Sequence, residues 1–256
     1  MAIRRIQRGR NHGYTIHGAK AMGVTTALSK GMPKPALMYW AARCVAEEAA
    51  GLMWAGNAEE IKRVNNVHTE LDLVDYLKKA PVRKRDNAAV RGTKVHKLAE
   101  HLVYGREVVV PPELLGHVTQ CAKFLDEWHV RPLLVEKVIG SYRWGYAGTF
   151  DLIGEIPDGR RILFDYKTGR DIWPETALQL AAYRHADAYV ADDGLEMPMR
   201  EVGIHESKAV HIGPDSYSVI PLDTGPAVHK AFLHVLQVAK AADVMEAWKG
   251  PPEVCP

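Results

Sequence analysis

Arg161-Ile-Leu-Phe-Asp-Tyr-Lys167 alternates like an extended strand. Period two puts Leu163, Asp165 and Lys167 on one face and Ile162, Phe164 and Tyr166 on the other. A carboxylate and an ammonium side by side at the end of an apolar strand are costly unless something binds there. Upstream, Tyr146–Ile156 reads as a second strand and Pro157-Asp-Gly159 as a tight turn, which predicts an antiparallel hairpin. Asp151 and Asp165 then come from the two arms of that hairpin, where their side chains can converge on one cation.

The pattern outside this hairpin sets the rest of the fold. Leu133–Ile139 reads as a preceding strand. Pro174 opens a helix to about Val190 that can cross between strands. Strand candidates follow at Arg200–His205, Ala209–Ile212 and Tyr217–Pro221, the last two joined by a turn at Gly213-Pro-Asp-Ser216. A final helix spans about Pro226 to Trp248, before a proline-rich tail expected to fray. The N-terminal half is helical instead. After a short hairpin with its turn at 9–13, helices are expected over about 36–53, over 57–79 (one or two, closed by Pro81), from about Ala88 to Val103, and from Pro111-Pro112 to about His129. The fold class expected is α/β (α+β), a central mixed sheet flanked by helices.

With 256 residues, 47% apolar and 25% charged, the chain has room for one large domain or a domain plus a lobe. No apolar run approaches the ~20 residues of a membrane span, and the N-terminus lacks the apolar segment of a signal peptide. A cytoplasmic protein with no membrane partner is therefore expected. Cys44, Cys121 and Cys255 are too few and scattered for a disulfide framework or zinc site. A four-cysteine iron–sulfur cluster would need ligands of another type.

Net charge is only +2, but it is segregated. From Lys78 to Lys97, basic residues face a single acid, Asp86. Taken alone, such a block is more often a solvated face; it also suits a phosphate-backbone footprint. The block runs into Gly92-Thr93, where Thr93 could cap a helix that carries His96 in its first turns. A lone histidine there is more often a surface or packed side chain, yet imidazole is also a common metal ligand. Gln179 and Tyr183 share one helix face, four residues apart. Phosphodiester hydrolysis needs a hard cation on oxygen ligands, a polarised water and a positive group near the phosphate. Asp151, Asp165 and Lys167 supply residue types suited to that task.

Gly92-Thr-x-Val-His96, Gly148-Thr-Phe-Asp151, Asp165-Tyr-Lys167-Thr-Gly169 and Gln179-x3-Tyr183 occur in that order. Together they resemble the PD-(D/E)xK nuclease superfamily, and within it the RecB-like exonuclease branch, in its stand-alone phage-type form. The matched motifs span about 91–184. The resemblance implies a restriction-endonuclease-like core and one nuclease domain over 1–256: an N-terminal hairpin and helical part at 1–90, a catalytic core at 91–222 and a C-terminal helix at 226–248. It implies Mg2+ or Mn2+ held by His96, Asp151, Asp165 and the backbone carbonyl of Tyr166, with Lys167 as catalytic lysine. Gln179 and Tyr183 would contact DNA or brace the site. Glu136, on the preceding strand, stays outside the firm set as an acid behind the ligands. No iron–sulfur cluster is expected.

The basic block, with Arg91 and Lys94 beside the His96 motif, then reads as a guide for a DNA strand. The expected activity is a metal-dependent DNA exonuclease in recombination, repair or phage DNA metabolism. Its partners would be single-stranded or duplex DNA ends, with a recombinase or single-strand-binding protein as a further candidate. The alternatives are a structure-specific endonuclease of the same superfamily, or a non-catalytic DNA-binding recombination partner on that fold.

Overall fold

A computed structural model describes residues 2–8, 11–54, 59, 62–63 and 65–250. They group into two compact units, 1–32 with 95–256, and 33–94. The sequence reading takes the chain as one domain; the structure sets the 33–94 helices apart and groups the N-terminal strands with the core.

The first unit is built on a mixed sheet whose strands are β1 (Ile3–Arg8), β2 (Asn11–Ile16), β3 (Ala19–Gly23), β4 (Arg131–Ser141), β5 (Tyr146–Glu155), β6 (Arg161–Lys167), β7 (Ala188–Val190), β8 (Glu196–Pro198), β9 (Glu206–Ile212) and β10 (Tyr217–Leu222). Its helices are α1 (Val24–Gly31), α5 (Leu115–Glu127), α6 (Glu175–Arg184), α7 (Pro226–Ala242) and the end of α4 (Ala80–Val103). The second unit holds α2 (Pro35–Trp54), α3 (Glu70–Lys78) and the start of α4.

The expected β5–β6 hairpin forms, with Leu152 opposite Phe164 and Glu155 opposite Arg161. β4 pairs antiparallel along one edge of β5. The other edge is shared. β3 runs parallel to it at Tyr146 and Ala147, and β6 takes it only from Leu152 onward. Residues 148–151 are therefore left without a strand partner on that edge. β6 also runs parallel to β9 from Ile162↔Glu206 to Lys167↔His211. The connection between those two strands contains α6, as a parallel crossover requires.

The alternation read from β6 is what separates the two cores. Leu163 packs with Val24, Leu28, Phe150, Leu180, Tyr183, Phe232 and Leu236, residues of α1, α6, α7 and β5. Ile162, Phe164 and Tyr166 pack on the other face with Cys121, Phe124, Val135, Leu152 and Val210. The sheet is thus covered on both faces, which is why its inner strands are apolar on both sides. Phe124 meets the Phe164 ring edge-on at 5.2 Å, a favoured aromatic geometry.

Several boundaries differ from the sequence reading. Pro81 does not close a helix; it lies in the first turn of α4, which begins at Ala80 rather than near Ala88. Proline fits there because its missing N–H has no intrahelical partner to lose. Thr93 is consequently not a cap but an interior residue whose hydroxyl donates to the Ala89 carbonyl at 3.0 Å. α6 stops at Arg184, and Ala188–Val190 instead forms strand β7 against Ile139 and Gly140. The strand expected at Arg200–His205 is a 3-10 turn at Met199–Val202, ended by Gly203 at φ 68°, a conformation glycine adopts at no steric cost. Of the helices expected over 57–79, α3 is described, with Thr69 and Asp72 forming a capping box; residues 57, 58, 60, 61 and 64 lie outside the described residues. So do 9 and 10 of the first turn, the 251–256 tail and Cys255. Among the described residues, no helix is long and apolar enough to cross a membrane.

Candidate functional site

The site forms where the pleat of β4 and β5 is interrupted. Glu136 has φ 50° within β4, a strained value for a residue other than glycine. Val135 belongs to the second core and Ile139 to the first, although they are four residues apart on one strand. Phe150 and Leu152 on β5 are divided in the same way. Since Val135 pairs Leu152 and Lys137 pairs Phe150, Glu136 falls opposite Asp151. Both strands therefore change face at this pair, and the two opposed carboxylates lie side by side as cross-strand neighbours.

His96, from the last part of α4, completes the group. One ligand atom each from His96, Glu136 and Asp151 lies within 4.8 Å of the others. Asp151 is held on both oxygens. Oδ1 meets His96 Nδ1 at 3.2 Å, and Oδ2 accepts the Tyr166 backbone N–H at 2.7 Å. The second bond uses the unpaired stretch of β5, the side chain taking an N–H beyond the last β5–β6 ladder pair.

The charges answer one another. Burial pushes His96 towards its neutral form, but the Asp151 carboxylate outweighs it and holds the imidazolium up to about 9. Burial likewise opposes ionisation of Asp151, yet His96, Lys167 and the Tyr166 N–H keep its pKa below the usual carboxylate value. For Glu136 the support from His96 and Arg5 is outweighed. Burial and the Asp151 charge raise it to about 7. One imidazole and two carboxylates suit a divalent cation once the imidazole gives up its proton; the nitrogen favours manganese over magnesium.

Asp165 and Lys167 sit beside this group in a network of their own. Lys167 forms an ion pair with Asp165 Oδ2. Gln179 Nε2 donates to Asp165 Oδ1 at 3.0 Å and to Tyr183 Oη at 3.1 Å, while its Oε1 accepts from Lys167 Nζ at 3.3 Å. Asp165 is 2% exposed, and its Oδ2 has no well-aligned hydrogen bond beyond the ion pair. Burial raises its pKa, opposed by Lys167 and reinforced by the Asp151 charge. Burial alone would lower Lys167, yet Asp165 and Asp151 raise it above its ordinary value.

The structure thus brings together His96, Asp151, Asp165, Lys167, Gln179 and Tyr183, with Glu136 rather than Asp165 closing the three-residue ligand group. Tyr183 is 2% exposed and packs in the first core. Its hydroxyl accepts from Gln179 Nε2, and its burial leaves little surface for the DNA contact the resemblance implies. Gly148 makes room for that ring: a Cβ there would lie 2.6 Å from Tyr183 Cε1. Arg91 and Lys94 are exposed residues of α4 within the 33–94 unit. Much of the basic block around them is neutralised, Lys78 by Asp75, Arg83 by Glu48, Lys84 by Glu47 and Arg85 by Asp86.

No family model and no curated protein matches the sequence. Among solved structures, the chain is similar to SSO0001 at 15% identity over 62% of this chain and 71% of that one, with a TM-score of 0.31. A likeness at that level bears no conclusion about fold or function.

Proposed function

We propose that this chain is a divalent-metal-dependent DNA exonuclease of the RecB-like branch of the PD-(D/E)xK superfamily. The observation that supports this most is the convergence of His96, Glu136 and Asp151 within 4.8 Å, next to a lysine paired with a buried aspartate. In this reading His96, Glu136 and Asp151 hold the cation, with Asp165 and the Tyr166 carbonyl available beside them. A bound Mg2+ or Mn2+ would supply a polarised water and stabilise charge on the attacked phosphate.

The chain's own groups do the rest. Lys167 is positioned by Asp165 and Gln179 and offers a compact positive charge to the water or to a phosphate oxygen. Gln179 fixes that lysine with its carbonyl oxygen and Asp165 with its amide nitrogen. Tyr183 holds Gln179 from the core side. The Asp151 side chain is only 12% exposed and that of Asp165 3%, so few waters compete at these carboxylates.

Digestion of 5′- and 3′-end-labelled linear DNA under Mg2+ and Mn2+ titration, beside closed circular single-stranded DNA, tests the reading. Linear DNA is degraded from an end and the circles persist. Cleavage of the circles would make the protein an endonuclease. DNA binding without cleavage under any divalent ion would make it a non-catalytic DNA-binding protein.

A further inference from the structure

We propose that Trp173, in the loop that joins β6 to α6, is a base-stacking residue that makes single-stranded DNA the preferred substrate; this rests on the nuclease reading above. The loop runs from Thr168 to Pro174, leaving β6 immediately after Lys167 and entering the helix that carries Gln179. Its connection to the site is therefore covalent at both ends. Trp173 lies six residues in sequence from each of those side chains.

Trp173 is 57% exposed. An indole is the largest apolar side chain, and the first core lies next to this loop, yet the ring stays outside it. The loop is nonetheless held in shape. The ring nitrogen Nε2 of His211 meets the Gly169 carbonyl at 2.7 Å, the Ile172 N–H donates to Asp171 Oδ1 at 2.8 Å, and the Thr176 N–H donates to the Trp173 carbonyl at 2.9 Å. Arg170, three residues before the indole, is exposed and makes no ion pair among the described residues. An exposed indole on a hydrogen-bonded loop, with an exposed guanidinium three residues before it, offers the two groups that bind single strands, one taking a base and the other a phosphate.

The choice of single over double strand follows from base stacking. A base inside a duplex already has both faces covered, so an exposed indole gains most from an unpaired base.

The test is binding of a fluorescein-labelled 20-nucleotide oligothymidylate and of a blunt 20-base-pair duplex, by anisotropy with Ca2+ in place of the catalytic ion. Trp173→Ala is expected to weaken single-strand binding about tenfold, which is about 1.4 kcal/mol, and to leave duplex binding unchanged. Trp173→Phe should recover most of the loss, since a smaller ring still stacks, whereas a merely structural role would not separate the two substrates. A shared loss on both substrates, or wild-type single-strand affinity in Trp173→Ala, overturns the stacking role. The two levels fail differently. A wild-type protein that neither binds nor cuts DNA removes the nuclease reading and this one with it; a wild-type protein that cuts while Trp173→Ala binds normally removes this one alone.

Discussion

His96 and His229 are both half-buried histidines of the same compact unit, and their surroundings drive them in opposite directions. His96 faces Asp151, which holds its proton to about 9 against the effect of burial. His229, on α7, stacks on His185 with ring centroids 4.9 Å apart and meets the Tyr146 hydroxyl at 3.2 Å. Burial and the neighbouring histidine lower it to about 4, with Asp187 opposing only weakly. Burial acts the same way on both rings. The difference is a carboxylate at hydrogen-bond distance, and it separates an imidazole held protonated from one held neutral.

The largest consequence concerns cleavage. Asp151→Ala and Lys167→Ala should each lower DNA cleavage by about 100-fold or more, read from initial rates on end-labelled DNA, while retaining most DNA binding. His229→Gln should cleave at the wild-type rate, because the stack touches none of the site residues. Equal loss in both regions would mean that the centre around His96 is structural and that the contrast between the histidines has no functional content.

Glu136 gives the next largest effect. If it is a ligand, Glu136→Gln should weaken Mn2+ binding about 10–100-fold by calorimetry, the scale seen when groups supporting a metal site are removed. Unchanged affinity would shift the cation to Asp151 and Asp165, as the sequence alone suggested. The pH dependence follows from the same residues. Binding must displace the His96 proton and, below about 7, the Glu136 proton. Mn2+ affinity should therefore rise with pH up to about 9, with one proton or more released per ion at pH 7.

Gly148 links the site to the core. In Gly148→Ala, the new methyl meets Tyr183 Cε1 at 2.6 Å and Val24 Cγ2 at 3.3 Å. Both neighbours belong to the first core, so overpacking should cost about 1–3 kcal/mol in denaturant unfolding. Because Tyr183 holds Gln179, and Gln179 holds Lys167, cleavage should fall in the folded protein as well.

Much of this arrangement is legible in the sequence, for reasons that particular residues make clear. β6 alternates without a break, so its two faces, and the two cores they enter, can be read from Ile162 to Lys167. Asp151 and Asp165 are placed by the Pro157-Asp-Gly159 turn. The role of Glu136 is not readable this way, because its left-handed backbone reverses the faces that period two assigns. A signal existed: Ser141 pairs Tyr146 across a four-residue turn, and counting back along that register sets Glu136 against Asp151. The start of α4 is not legible because Pro81 reads as a stop although proline serves equally as a first-turn residue. The division at 94 cuts through one continuous helix, where periodicity carries no boundary.

The smallest effect is the pair of pH limbs the two histidines impose on stability, measured as melting temperature in EDTA. His229 has a folded pKa near 4 against an ordinary 6.5. The unfolded chain takes up the proton first as pH falls, so the stack's contribution is complete above about 6.5 and is lost towards about 4. His96 has a folded pKa near 9. Its contribution is complete below about 6.5 and is lost as pH rises towards about 9. Glu136, raised to about 7, adds to the second trend at lower pH. His229→Gln should thus flatten the acid limb and leave the alkaline one, and His96→Gln should do the reverse. Adding Mn2+ should abolish the alkaline limb in the wild type, since the cation replaces the proton that Asp151 holds on His96, and should leave the acid limb in place. If Mn2+ moves both limbs alike, the two histidines are not independent, and the separation of a chemical region from a structural one fails.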